Sequence, residues 1–110
     1  MSGILGRHEM RKVEKESIAR LINDNPGRSG KNDIVIRADT SVLSWRYHGN
    51  TIVTRVGREI RMSDHGYQTV ATKSRLNAVL AHFGKPRIYQ KDFLWYHHGA
   101  LWNGYYQFEY

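Results

Sequence analysis

Apolar positions between Thr69 and Tyr96 form the clearest pattern in the chain. Four of them follow the i, i+3, i+4, i+7 spacing of one helical face: Leu76, Val79, Leu80 and Phe83. Three polar residues are expected to face away from that stripe: Lys73, Asn77 and His82. Thr72 can cap the start of the helix, Gly84 can end it in a left-handed conformation, and Pro86 prevents continuation. The pattern predicts a central helix near residues 72–83, buried against a sheet that includes Ile52 and Trp95.

Period-two patterns follow this helix. The segment from Arg87 to Tyr96 is rich in aromatic and β-branched residues and is split by Lys91 and Asp92, which suit a tight turn. Further on, aromatic and polar residues alternate up to Tyr110, so a last strand is expected to begin near Gly104. The sequence therefore predicts a C-terminal β-hairpin and one further strand.

The N-terminal part has helical periodicity and then turn residues. From Arg7 to Asp24, five apolar residues have nearly helical spacing: Met10, Val13, Ile18, Leu21 and Ile22. Glu16 and Arg20 are four apart, in the favourable order for an ion pair. The stretch from Asn23 to Asn32 concentrates Asn, Pro, Gly and Ser, as linkers do. We therefore predict an N-terminal amphipathic helix and linker over 1–32, followed by a single α+β domain over 33–110.

An antiparallel meander is predicted between these two regions. Ile34 and Ile36 alternate on one side of a first strand over 33–38. A hairpin loop of Gly49 and Asn50 would pair the following residues across it: Tyr47 with Ile52, Trp45 with Thr54, and Leu43 with Val56. At the next turn, a three-residue loop of Gly57, Arg58 and Glu59 keeps Ile60 and Met62 on that same face. The other face would carry Arg46, Arg55, Arg61 and His48, either as a basic surface or as an ordinary solvent side.

Composition narrows the class of protein. The chain has 110 residues, enough for one core, and its 17 Lys and Arg against 10 Asp and Glu give a net charge of +7. Such a charge favours a polyanionic partner without identifying one. No cysteine is present, the opening stretch MSGILGRHEM is too short and polar for a signal peptide, and no apolar run is long enough to span a bilayer. These features predict a cytoplasmic protein with no membrane partner; they leave its oligomeric state open.

Positive charge is concentrated after Asp64. Five basic residues precede the next acidic one: Lys73, Arg75, Lys85, Arg87 and Lys91. Lys73 and Arg75 fall in the first turn of the central helix, where free backbone N–H groups and two cations can hold a phosphate. The alternative is that these long side chains simply extend into water. The five residues are the predicted nucleic-acid-binding site.

Aromatic residues are concentrated in the same half of the chain. Ten of the thirteen lie between Phe83 and Tyr110. Aromatic rings interleaved with basic residues can stack on unpaired nucleotides, but large apolar side chains are also the usual core of a small sheet. Stacking on nucleotides requires exposed rings, whereas a role in the core requires buried ones.

Two segments, HGNTIVTRVGREIRM and HGYQTVATKSRLNAVLAHFGKPRIYQKDFLWY, resemble a widespread family of short proteins encoded by tailed bacteriophages and prophages. The resemblance covers roughly residues 41–97, although Ala71-Thr72-Lys73 stands where such proteins usually have Thr-Thr-Lys. It implies a phage origin and a setting in the host-cell cytoplasm. It supplies no activity or catalytic residues.

No catalytic or metal-binding motif is recognisable. His97 and His98 are adjacent, so in a strand they point to opposite faces, and no His-x-x-x-His spacing, phosphate loop or nucleophile motif occurs. We therefore predict a non-enzymatic protein without cofactor or metal that binds nucleic acid, DNA or RNA, through the basic helix start and hairpin. The alternative is a phage-encoded protein that binds and inhibits a host enzyme, such as a transcription or defence complex.

Overall fold

The computed structural model describes residues 10–110 and confirms the α+β class. Its helices are α1 (Lys12–Ile22) and α2 (Val70–His82). Its strands are β1 (Gly27–Arg28), β2 (Asp33–Asp39), β3 (Val42–Tyr47), β4 (Asn50–Val56), β5 (Glu59–Ser63), β6 (Tyr89–Lys91), β7 (Leu94–His97), β8 (Ala100–Leu101) and β9 (Tyr105–Glu109). Residues 7–9 of the predicted first helix, and most of the opening stretch, lie outside the described residues.

The strands form two separate antiparallel sheets. The large sheet has the order β1-β2-β3-β4-β5-β9, and the small sheet has the order β6-β7-β8. Ile52 therefore lies in the large sheet and Trp95 in the small one, so the prediction of a single sheet containing both was wrong. The hairpin of β6 and β7 pairs with itself and with β8, while β9 takes the edge of β5.

One hydrophobic cluster joins the helices and both sheets. Its buried members include Ile18 and Leu21 of α1, and Trp45 of the large sheet. The predicted stripe of α2 is confirmed for Leu76, Val79 and Leu80, which are buried. Phe83 is only partly buried and packs its ring against Phe108 and Tyr110 at 5.3 and 4.7 Å between centroids. The last strand thus supplies aromatic core, as one of the two interpretations of those residues expects.

The capping residue of α2 lies three residues earlier in the chain than predicted. Thr69, not Thr72, is the capping residue, and its hydroxyl accepts a hydrogen bond from the Thr72 backbone N–H at 3.1 Å. Thr72 is itself buried in the first turn. At the other end, Gly84 takes a φ of +69°, as predicted for a residue that ends a helix.

The hairpin registers of the large sheet were predicted wrongly. The first loop is His48-Gly49, with φ of +51° and +80°, so Tyr47 pairs with Asn50. A bulge beyond Arg46 then lets Trp45 pair with Val53. Because this extra residue reverses the alternation of β4, the next loop needs only two residues, and Val56 pairs with Glu59. Ile60 and Met62 thereby reach the interior without the predicted three-residue loop.

The same change divides the predicted basic face. Arg55 pairs with Leu43 and Ile60, on the interior side, and its guanidinium donates to the carbonyl oxygens of Leu21 and Gly57 at 2.6 and 2.8 Å. Arg46 and Arg61 are exposed. Arg55 therefore contributes to the attachment of α1 and not to a solvent-facing basic surface.

The predictions for the N-terminal region concern β2, α1 and the linker between them. Ile34 and Ile36 do share a face, but they are half-buried, whereas Val35 between them is buried. The predicted ion pair of Glu16 and Arg20 is present at 3.4 Å. Strand β1 lies within the predicted linker and pairs with β2. The domain boundary at residue 32 stays a prediction.

Candidate nucleic-acid interface

The segment from Lys85 to Lys91 runs back alongside α2. At its beginning, the Lys85 backbone N–H donates to the Leu80 carbonyl at 2.8 Å. In its middle, Ile88 is bonded to Asn77, and near its end the ammonium group of Lys73 donates to Gln90 Oε1 at 3.2 Å. The segment is therefore held at three points along the helix, from its C-terminal end towards its first turns.

Asn77 provides the middle attachment. Its Oδ1 accepts from the Ile88 N–H at 2.7 Å, and its Nδ2 donates to the Ile88 carbonyl at 2.9 Å. Asn77 is buried, so the expectation that it faces away from the packed side was wrong. A primary amide can satisfy a donor and an acceptor of one buried residue at once, which an apolar side chain cannot do. The sequence signal for this role is weak, because Ile88 is not a helical neighbour of Asn77.

Arg75, one of the five predicted site residues, lies in the interior. Its Nε and Nη2 donate to the two carboxylate oxygens of Asp33 at 2.7 and 2.8 Å, and its guanidinium lies 3.8 Å from the centroid of the Tyr47 ring. Trp45 Nε1 also donates to Asp33, at 2.9 Å. Burial alone would lower the pKa of Arg75, but the hydrogen bonds and charge of Asp33 outweigh it and raise the pKa. The guanidinium is thus fully engaged inside the protein.

The other four predicted site residues have no acidic partner in the described part of the chain. Five arginines there, including Arg75, form ion pairs with acidic residues. The four site residues form none: Lys73, Lys85, Arg87 and Lys91. Arg87 and Lys91 are exposed. Lys73 and Lys85 are half-buried, with ammonium groups 5.6 Å from the Trp95 ring and 5.1 Å from the Phe108 ring.

These four cations form a line and not a cluster. Lys73 is near the start of α2 and Lys85 is just past its end, about 18 Å apart along the axis at 1.5 Å per residue. Arg87 and Lys91 follow on the segment that returns towards Lys73. The structure therefore brings Lys73 close to the strand that carries Lys91, and separates both from Lys85.

The small sheet has one packed face and one open face. Trp95 and His97 are buried on the inner face. Cross-strand partners share a face, so the outer face carries the following residues: Tyr89, Lys91, Leu94, Tyr96 and Leu101. The rings of Tyr89 and Tyr96 are stacked, with centroids 5.6 Å apart and planes inclined by 19°. Tyr89, Leu94 and Leu101 are 44, 50 and 60% exposed. We call this set of five residues the outer face.

Phe93 stands at the tip of this sheet. The turn between β6 and β7 consists of Asp92 and Phe93, one residue later than predicted, because Lys91 pairs with Leu94. Both turn residues have left-handed backbones, with φ of +53° and +69°. The Phe93 side chain is 91% exposed. Asn-Gly or Asp-Gly is the usual occupant of such a turn, so a bulky ring here is unusual.

His97 attaches the inner face of the small sheet to the segment that precedes β6. Its Nε2 lies 2.9 Å from the Pro86 carbonyl oxygen, which can only accept, so this nitrogen carries a hydrogen. Burial lowers the pKa of His97, opposed by the bond to Pro86 and helped by the neighbouring His98. The imidazole therefore acts as a neutral donor that holds the segment before β6.

A cleft of about 490 Å³ lies beside the start of α2. Two histidines and two tyrosines line it: His48, His65, Tyr47 and Tyr67. Among the described residues that line it, Asp64 is the acidic one; its carboxylate already accepts from Trp102 Nε1 at 2.9 Å and the Gly66 N–H at 2.8 Å. A carboxylate repels phosphate, so this cleft is a less favourable anion site than the line of cations.

Comparison with known protein families gives a match. A sequence model of the Kyanoviridae Gp96 protein family matches residues 10–109. The chain belongs to this family. The expected phage origin is thereby confirmed at the level of the family, and the match extends from α1 to the end of β9. No curated protein and no solved structure matches the chain.

Residues 10–110 contain neither a membrane-spanning helix nor a metal-binding cluster. No helix there has the length and apolar character that crossing a bilayer requires. That same part of the chain contains no group of three or more His, Asp or Glu side chains placed to hold a metal ion.

Proposed function

We propose that this phage protein binds nucleic acid, with the phosphate backbone lying along the segment from Lys85 to Lys91 and against Lys73. The observation that carries the proposal is the segment 85–91, which has three cations and no acidic residue and is bonded near its end to Lys73. None of these four cations has an acidic partner among residues 10–110. Cations held on an anchored backbone are suited to phosphate contacts, which supply most of the sequence-independent affinity.

Arg75 has no place in this contact. Its donors are bonded to Asp33 and to the Ala71 carbonyl, and a phosphate would have to displace a buried carboxylate to reach it. The proposed interface therefore has four cationic contacts: Lys73, Lys85, Arg87 and Lys91. Asp92, at the turn, marks the end of the line.

The test is the salt dependence of binding. Four phosphate contacts predict a log–log slope of about −3.6 on duplex DNA and about −2.8 on a single strand. Fluorescence anisotropy with labelled oligonucleotides, from low to moderate salt, measures both slopes. Arg87→Ala combined with Lys91→Ala should reduce the magnitude of the slope by about 1.4 to 1.8.

A matched control separates local contacts from net charge. Lys12→Ala combined with Lys15→Ala removes the same charge from exposed positions on α1. This control should leave the slope unchanged and weaken binding only slightly. An equal loss of slope in both double variants, or no binding by the parent at low salt, would refute the proposed interface.

A host protein is the second candidate partner. The observation that favours it is the exposure of Phe93, Leu94 and Leu101 on and beside the outer face, since exposed apolar groups rimmed by polar ones are typical of protein contacts. In that case no nucleic acid would bind even at low ionic strength, and no salt slope would be measurable. The anisotropy titration therefore tests this candidate as well.

A further inference from the structure

We infer that the ligand is a single strand, and that its unpaired bases stack on the outer face and on Phe93 while its phosphates follow the line of cations. This inference rests on the proposed function and specifies its ligand class. It assigns a role to the part of the small sheet that the protein's own packing does not use.

Phe93 carries the argument. Its ring is 91% exposed, and its backbone has a left-handed φ of +69°. The exposed ring contributes almost nothing to folding because it gains almost no burial, and the left-handed backbone opposes folding because a bulky residue is strained in this conformation. Glycine would fit the turn better. Strained residues with no packing role are typical of binding sites, and an exposed ring at a hairpin tip is free to stack on a planar ligand.

The outer face provides further stacking surface beside that ring. Tyr89 and Tyr96 lie opposite each other across β6 and β7 with nearly parallel rings. Lys91 projects from the same face, and Arg87 lies four residues before it, up to about 14 Å away along an extended chain. Aromatic rings on a sheet bordered by cations are the usual arrangement for unpaired bases.

Charge favours a nucleic acid over an apolar protein surface as the occupant. The segment 85–91 has three cations and no acidic residue, within a chain of net charge +7. A duplex presents phosphates to these cations, but its bases are stacked on one another and cannot lie on the rings of Tyr89 or Phe93. A single strand can contact the cations and the rings together.

The experiment compares a labelled 15-nucleotide oligothymidylate with a 15-base-pair duplex at equal salt. The parent should bind the single strand at least tenfold more tightly. Phe93→Gly should lower single-strand affinity about 5- to 150-fold, the range for loss of one base–aromatic stack, while its salt slope stays that of the parent. Its thermal midpoint should equal or exceed that of the parent, because glycine relieves the left-handed turn.

Two further variants sharpen the test. Tyr67→Ala removes another exposed aromatic ring, 58% exposed, which lines the cleft and does not belong to the outer face, and should leave single-strand affinity unchanged. Phe93→Trp keeps a ring at the tip; it should retain the affinity of the parent, and its fluorescence should be quenched when the single strand binds.

The outcomes distinguish this inference from the proposed function. Equal affinity for both oligonucleotides, or equal effects of Phe93→Gly and Tyr67→Ala, overturns the single-strand inference and leaves backbone binding intact if the Arg87 and Lys91 variant still loses slope. Absence of binding to either oligonucleotide at low salt overturns both and favours a protein partner for the outer face.

Discussion

The buried ion pair of Asp33 and Arg75 gives the sharpest stability prediction. The side chains are 2 and 7% exposed, and Asp33 accepts hydrogen bonds from Trp45, Arg75 Nε and Arg75 Nη2. Asp33→Asn keeps the shape of the side chain but removes its charge and one acceptor oxygen. An ion pair at about 4 Å is worth about 4 kcal/mol at an effective dielectric constant near 20. We therefore expect the substitution to lower the free energy of unfolding by about 3 to 5 kcal/mol.

Reversible urea unfolding measures this loss, and a surface pair provides the control. Arg37 and Asp24 are closer together, at 2.6 Å, but their side chains are 41 and 55% exposed. Asp24→Asn should therefore cost less than about 1 kcal/mol, because solvent screens the charges. The comparison shows whether burial or distance sets the strength of the pair.

A double variant completes the cycle. Asp33→Asn with Arg75→Met leaves no uncompensated charge, so its loss of stability should be smaller than the sum of the two single losses. A change below about 1 kcal/mol for Asp33→Asn, or one equal to that of Asp24→Asn, would refute the view that this pair holds α2 against the sheet. Any Arg75 variant that folds should keep the salt slope of the parent.

Three further predictions concern the core, pH and the N-terminal region. Leu80→Ala should lower the free energy of unfolding by about 2 to 5 kcal/mol in the same urea assay, because Leu80 is fully buried; a change below about half a kcal/mol would contradict its place in the core. Since burial lowers the pKa of His97, the unfolded chain binds more protons below about pH 6.5, so stability should fall as the pH decreases from there, and His97→Gln should remove that part of the fall. Limited proteolysis tests the boundary at residue 32: Ile18 and Leu21 are buried in the common cluster, so we expect α1 to stay protected with the sheet, whereas an early cut within 27–31 that leaves an intact 33–110 fragment would support two units.

The sequence predicts the elements of this fold better than their register. The stripe of α2 and the aromatic alternation of β9 are local patterns, and both are confirmed. In contrast, His48-Gly49 and Gly49-Asn50 are both suitable for a tight turn, and choosing between them shifts every pairing in the hairpin. The bulge at Ile52 then reverses the alternation again. It has no signal in the sequence, because Ile52 and Val53 are both apolar and β-branched, and both are buried in the structure.

The candidate site was predictable only in part, for a related reason. The basic segment can be recognised from composition. Whether each of its cations is buried in an ion pair or exposed depends on partners that are distant in sequence. Asp33, which engages Arg75, is 42 residues away in sequence, and nothing in the helical pattern distinguishes Arg75 from Lys73. The exposure of Phe93 is likewise a property of the tertiary structure, since the sequence alone fits a core ring equally well.

The order of strands in the large sheet has a consequence for synthesis of the protein. Strand β5 receives its second neighbour only when β9 is made, after the whole of α2 and the small sheet. Until Tyr105 has left the ribosome, the nascent chain carries an open strand edge beside the apolar side chains of Ile60 and Met62. Unpaired edges of this kind recruit other chains. Strand β5 therefore stays unpaired on this side until the interval between Asp64 and Gly104, whose backbones are hydrogen-bonded at 3.1 Å, has closed.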